Sequence, residues 1–282
     1  MEYERNLGTL FGRSYRLFIG DSEESFVIDN LNVQFSVSKD MNNKDNKNSS
    51  TVGVFNLDPS KVGISGRTRY LSLEAGYQKL GLSLLTRGTV VSINTRRVGG
   101  DVLTEFHVEE SFEELNKSLF SRIIPEGRSV RDVIEALVQE VGVVSRAEYT
   151  GVNVDRVVID GYPITGSFHT VMGELSSSFD LDYSVDNDVL YVTDKGLPTK
   201  PRNQFVLLSR DSGMEGTPVL EMIEDEEYVR VIGRLNPALQ IGSPVKVEDR
   251  EFSGIYRIKS IQHEGEYMGA HWQSQLQLER LL

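Results

Sequence analysis

The chain has 282 residues, 39% of them hydrophobic and 26% charged, a composition that suits a folded globular protein and excludes a disordered one. The absence of cysteine rules out disulfide scaffolds, thiol nucleophiles and cysteine-based metal centres. A formal net charge of -12 opposes any surface built to grip nucleic acid, which needs clustered Lys and Arg.

The N-terminus lacks the basic start and apolar run of a signal peptide. No stretch approaches the roughly 20 apolar residues that span a bilayer, so assembly in cytoplasm without membrane insertion is expected. Leu31, Val33, Phe35 and Val37 alternate with polar residues, predicting a half-buried strand. The run Lys39 to Ser50 (KDMNNKDNKNSS) is rich in Asn, Lys and Asp and is expected to be an exposed, mobile loop. Strands are predicted again at Thr51 to Leu57, around Leu71 to Tyr77, in the apolar stretch Leu82 to Ile93, and from Val102 to Val108 after the Gly99-Gly100-Asp101 turn. Some six strands with regular turns suggest a barrel or sandwich.

The pattern changes near residue 115. Val130, Val133, Ile134, Leu137, Val138 and Val141 form one apolar stripe at helical spacing, with Ser129 as N-cap, Asp132 in the first turn and Gly142 as the stop. Phe168, Val171, Met172, Leu175 and Phe179 form a second stripe after Ser167. Leu181 to Val185 and Val189 to Val192 flank Asp186-Asn187-Asp188 and read as a hairpin with a tight polar turn. Lys195 to Pro201 mixes Gly, Pro and Lys and marks a boundary. Strands return at Phe205 to Leu208, Tyr228 to Ile232, Val245 to Val247, Gly254 to His263 and Trp272 to Leu281. The expected fold class is mainly β with an α+β middle module, divided at 1–115, 116–200 and 201–282.

No catalytic signature emerges. The four histidines, His107, His169, His263 and His271, include no pair at metalloprotease spacing; His263 and His271 could meet across a hairpin, but hydrogen-bonded strand residues are the commoner explanation, and neither metal nor cofactor is predicted. The carboxylate runs at Glu109-Glu110, Glu113-Glu114 and Glu224 to Glu227 read as solvated acidic faces rather than a glycosidase pair. No G-x-S-x-G elbow, Walker loop or dinucleotide turn is present, so no enzyme activity is expected.

Several segments in shared order resemble the baseplate central hub proteins of contractile-tailed phages. Asn32 to Val37, a Lys- and Asn-rich loop, Thr51 to Leu57 (TVGVFNL), Leu71 to Tyr77 (LSLEAGY) and Arg87 to Val90 (RGTV) resemble the family's first domain. Gly127 to Val130 (GRSV) and Tyr183 to Tyr191 (YSVDNDVLY) are similar to its insert. Leu207 to Met214 (LLSRDSGM), Leu235 to Pro237, Ile241 to Val245 (IGSPV), Gly254 to Tyr256, His263 to Gly265 and His271-Trp272 follow the order of its last domain. The resemblance implies two tube-like β-barrel domains flanking a small α+β domain. It also implies a homotrimeric ring that adapts a sixfold tail tube to a threefold central spike protein, with DNA passing an acidic lumen without specific binding, in the virion tail baseplate. On this reading Asn42, Asn43, Lys44, Asp45, Asn46, Lys47 and Asn48 would contact a neighbouring subunit or tube protein. Two alternatives stay open: a β-rich carbohydrate-binding or adhesin module, and a carboxylate-dependent hydrolase.

Overall fold

A computed structural model describes residues 10–21, 25–41, 48–58, 60, 69–110, 115, 118–158, 160–223 and 225–281. Seven strands come first: β1 (Arg13–Gly20), β2 (Ser25–Ile28), β3 (Val33–Asp40), β4 (Ser49–Phe55), β5 (Tyr70–Tyr77), β6 (Gly81–Val98) and β7 (Asp101–Glu109). The middle holds β8 (Leu119–Ile124), α1 (Val130–Val141), β9 (Arg146–Thr150), β10 (Tyr162–Ser167), α2 (Phe168–Phe179), β11 (Leu181–Asp186) and β12 (Val189–Asp194). Six strands close the chain: β13 (Val206–Ser209), β14 (Met214–Ile223), β15 (Glu226–Arg234), β16 (Pro244–Glu248), β17 (Gly254–Glu266) and β18 (Trp272–Arg280). The fold is mainly β with a small α+β module.

The first and last groups of strands are not separate sheets. β3 and β17 pair antiparallel from Gln34↔Glu266 to Asp40↔Ser260, joining them into one 13-stranded sheet ordered β14-β15-β18-β17-β3-β4-β7-β6-β5-β1-β2, with β16 and β13 branching from β17. Buried apolar side chains form three clusters. One lies under β1 to β7 and takes in Leu235 and Trp272, one lies within residues 115–192, and one joins Met41 to the last group. The middle cluster shares no residue with the other two.

Local chemistry accounts for the middle module. The Ser129 hydroxyl accepts from the Asp132 amide at 3.1 Å while the Asp132 carboxylate accepts from the Ser129 amide at 2.9 Å, a reciprocal cap that fixes the start of α1. Gly142 ends it with φ 73°. Asn187 and Asp188 both have positive φ, 50° and 65°, the two-residue turn whose twist matches the β11–β12 hairpin. That hairpin pairs with β9 in a three-stranded sheet beneath the helices.

The expected exposure of Lys39 to Ser50 is corrected at both ends. Val33, Phe35 and Val37 point inward on β3, and the same period of two carries Lys39 inward after them, leaving it 6% exposed. Met41, Asn48 and Ser50 are also buried, while Asp40 and Ser49 are exposed, and residues 42–47 lie outside the described residues.

Candidate assembly site

Two features outside the ordinary packing of the fold carry functional potential: a buried ionic joint under the middle module, and unpaired sheet edges. The joint follows from strand periodicity. On β11, Leu181, Tyr183 and Val185 enter the module's apolar cluster, which turns Asp182, Ser184 and Asp186 to the opposite face. That face meets the large sheet. Asp182 takes the Arg257 guanidinium of β17 at 2.6 Å, and Asp186 pairs with the Lys39 ammonium of β3. Arg257 is 1% exposed, and it also donates to the Leu197 carbonyl at 3.0 Å and to Glu279, its cross-strand partner on β18, at 2.5 Å. At the turn, Asp188 pairs with Arg87 of β6, and Asn48 donates to the Val185 carbonyl at 2.8 Å.

Lys39 is the centre of a wider buried network. Its ammonium lies 3.1 Å from Glu110, which accepts from the Thr86 hydroxyl at 3.1 Å, and Thr86 in turn accepts from Ser50 at 2.8 Å. Burial alone would lower the lysine's pKa, but the carboxylates of Asp186 and Glu110 outweigh it and hold the group above its ordinary value, so it is charged. Burial lifts Glu110 above the usual carboxylate range; Lys39 pulls it down, while Asp186 adds to the lift. Close by, His263 is buried and its ring bonds the Ser274 hydroxyl at 2.8 Å; burial first and the Lys39 charge second push its pKa down to about 3.

Among the described residues β14 pairs on one side only, with β15. Four large apolar side chains near its end, Val219, Leu220, Met222 and Ile223, are exposed, so both faces of this hairpin arm stand clear of the core. β6 has a second free edge among the described residues. Its ladder to β5 ends at Tyr70↔Thr89, so from Val91 to Val98 it pairs, among those residues, with β7 alone. Val91, Arg96, Arg97 and Val98 are exposed there. β2 forms a third edge at the far end of the path.

The sequence-predicted residues fall unevenly on this frame. Asn48 turns inward, where it also accepts from the Asp40 amide at 3.3 Å. Glu110 is buried against Lys39, which corrects its reading as a solvated face; Glu113, Glu114 and Glu224 lie outside the described residues. The β17–β18 register sets His263 opposite Ser274, so it does not meet His271. Among the described residues no three His, Asp or Glu side chains gather as a metal site. An open cleft of about 760 Å³ runs between Arg13, Tyr77, Arg234, Tyr267 and Trp272. Its Arg13 guanidinium is committed to the carbonyls of Glu266, Gly269 and Ala270 at 2.7 to 2.9 Å.

No protein-family model and no curated protein matches the chain. Solved structures do. A tail protein from Neisseria meningitidis MC58 superposes with a TM-score of 0.66 at 12% identity, covering 96% of this chain and 97% of that one. The 43 kDa tail protein of prophage MuSo2 from Shewanella oneidensis gives 0.65 at 7% identity, covering 95% and 97%. An E. coli component of the type VI secretion system, described as similar to the T4 bacteriophage tail proteins gp27 and gp5, gives 0.60 at 9% identity, covering 88% and 73%. The chain therefore has the fold of phage tail and type VI secretion components along nearly its whole length.

Proposed function

We propose that this chain is a structural component of a phage-type tail baseplate, the central hub, acting as a homotrimeric ring between a sixfold tube and a threefold spike. The observation that carries the reading is the end-to-end match to a tail protein, 96% of this chain against 97% of the Neisseria protein. Free sheet edges that endanger a monomer are covered in a ring, since heterologous contacts close when the rotation between copies does. A net charge of -12 per copy gives an acidic channel wall along which DNA passes without adhering. Contact of the Asn42 to Asn48 segment with a neighbouring subunit or tube protein belongs to this reading; of these residues, 42–47 lie outside the described ones.

The carbohydrate-binding alternative draws less support. The single tryptophan, Trp272, is 6% exposed and packs edge-on against Phe35 at 5.3 Å, so its ring is a core element and not a sugar platform. Light scattering combined with negative-stain imaging tests the hub reading. A ring of three copies with a central hole supports it; a monomer at every concentration and in the presence of candidate tube and spike proteins refutes it.

A further inference from the structure

We infer that copies of this chain join through one specific strand pair, the free edge of β14 on one copy against the free outer half of β6, Val91 to Val98, on the next. The inference rests on the ring reading and names its interface. Its main support is a parity argument. From β14 to β6 the sheet path runs through eight strands, β14-β15-β18-β17-β3-β4-β7-β6, and every neighbouring pair is antiparallel. The two end strands therefore point in opposite directions. A rotation leaves unchanged the component of strand direction along its axis, so for strands running along the ring axis a rotated copy presents β6 to β14 as an antiparallel neighbour and the alternation continues unbroken around the ring.

The competing edge fails that test. β2 lies three further antiparallel steps along the path, through β5 and β1, so it runs in the same direction as β14 and would pair parallel, the weaker arrangement. It also offers only four residues, Ser25–Ile28, whereas β6 offers eight to the ten of β14.

Side chains agree with backbone direction. The β14–β15 arm brings the exposed Glu226 and Glu227 beside Glu221, which Arg230 already pairs at 2.5 Å, while β6 brings the exposed Arg97 beside Arg96, which pairs with Glu105 at 3.1 Å. The exposed Val219, Leu220, Met222 and Ile223 would be covered by a neighbouring strand carrying Val91 and Val98.

The cysteine-free sequence makes the test direct. Leu220→Cys is combined in turn with a single cysteine at each position from 91 to 98, oxidised under native conditions and resolved on a denaturing gel. At least one combination is expected to give covalent trimers, and Leu220→Cys alone is expected to stay unlinked. Met222→Lys and Ile223→Lys, exposed in the single copy, are expected to keep the parent circular dichroism spectrum while raising the concentration needed for assembly at least tenfold. A ring that cross-links through Val27→Cys on β2, or through Leu220→Cys alone, overturns this interface and leaves the ring reading standing. A protein that never assembles removes both.

Discussion

Replacing Lys39 by methionine removes the cation that, among the described residues, alone contacts two buried carboxylates, while keeping a side chain of similar length. Lys39, Glu110 and Asp186 are all buried, so Glu110 and Asp186 would face each other across a site with no compensating charge. Breaking a buried pair by deleting one partner costs about 3–5 kcal/mol, a large share of the roughly 5–15 kcal/mol that holds a typical domain together. The loss has a defined pH dependence. Glu110 already sits above its ordinary range through burial, with Lys39 pulling it down, so removing Lys39 raises it further. An acid whose folded pKa exceeds its unfolded value binds the extra proton in the folded state. Its penalty is absent below the unfolded value of about 4.3 and grows by about 1.4 kcal/mol per pH unit until pH reaches the folded pKa. Urea denaturation followed by circular dichroism and by the fluorescence of the single Trp272 measures this at pH 5 and pH 7.5. The variant should lose more stability at the higher pH, and adding Glu110→Gln with Asp186→Asn should restore most of it. A loss under 1 kcal/mol at pH 7.5, or a deficit independent of pH, would refute the argument.

Three other outcomes follow from buried groups and caps. His169 and His263 are buried with pKa values pushed down to about 4 and about 3, so the unfolded chain binds their protons first; each should remove about 1.4 kcal/mol of stability per unit as pH falls below about 6.5, and His169→Gln should flatten that acid limb in a denaturation series. Ser129→Ala removes the acceptor that caps α1 and should cost about 1 kcal/mol, read as an earlier thermal transition at 222 nm. Gly88→Ala would drive a Cβ into the Glu109 carbonyl where β6 crosses from β5 to β7, and should cost about 1–3 kcal/mol in the Trp272-reported transition.

The helices and the β11–β12 hairpin were legible because their signals are local: a cap three residues before a carboxylate, a stripe at helical spacing, an Asn-Asp turn between alternating strands. The joint was not. Lys39 looks like the start of a polar loop because its partners are 71 and 147 residues away, and nothing in the neighbouring sequence records that the β3 rhythm runs one step past Val37. Glu110 was hidden for the same reason, inside an acidic run whose members have different surroundings. β14 escaped because Val219, Leu220, Met222 and Ile223 do not alternate; both faces are exposed, so the period of two that betrays a half-buried strand is missing. A strand that reads poorly as part of a single copy is what an assembly edge should look like.

Two of the three ionic ties beneath the middle module, the buried pairs Asp182–Arg257 and Asp186–Lys39, offer a last test of how that module is held. Asp182 and Asp186 are four residues apart on β11, which separates them by roughly 13 Å along the strand, and independent sites at that distance normally add within about 0.5 kcal/mol. The module's apolar cluster shares no residue with the clusters of the large sheet, and among the described residues none of its strands pairs with that sheet. With so little apolar grip, and with the Arg87–Asp188 pair partly exposed and weak, the loss of either buried tie should let the module lift away as a body, after which the second buried tie has nothing left to hold. Lys39→Met and Arg257→Met together should then cost clearly less than the sum of the two single changes, and amide exchange on the Asp182, Ser184 and Asp186 face of β11 should accelerate. Strict additivity, with exchange unchanged, would mean that the module is locked onto the sheet by more than its charges.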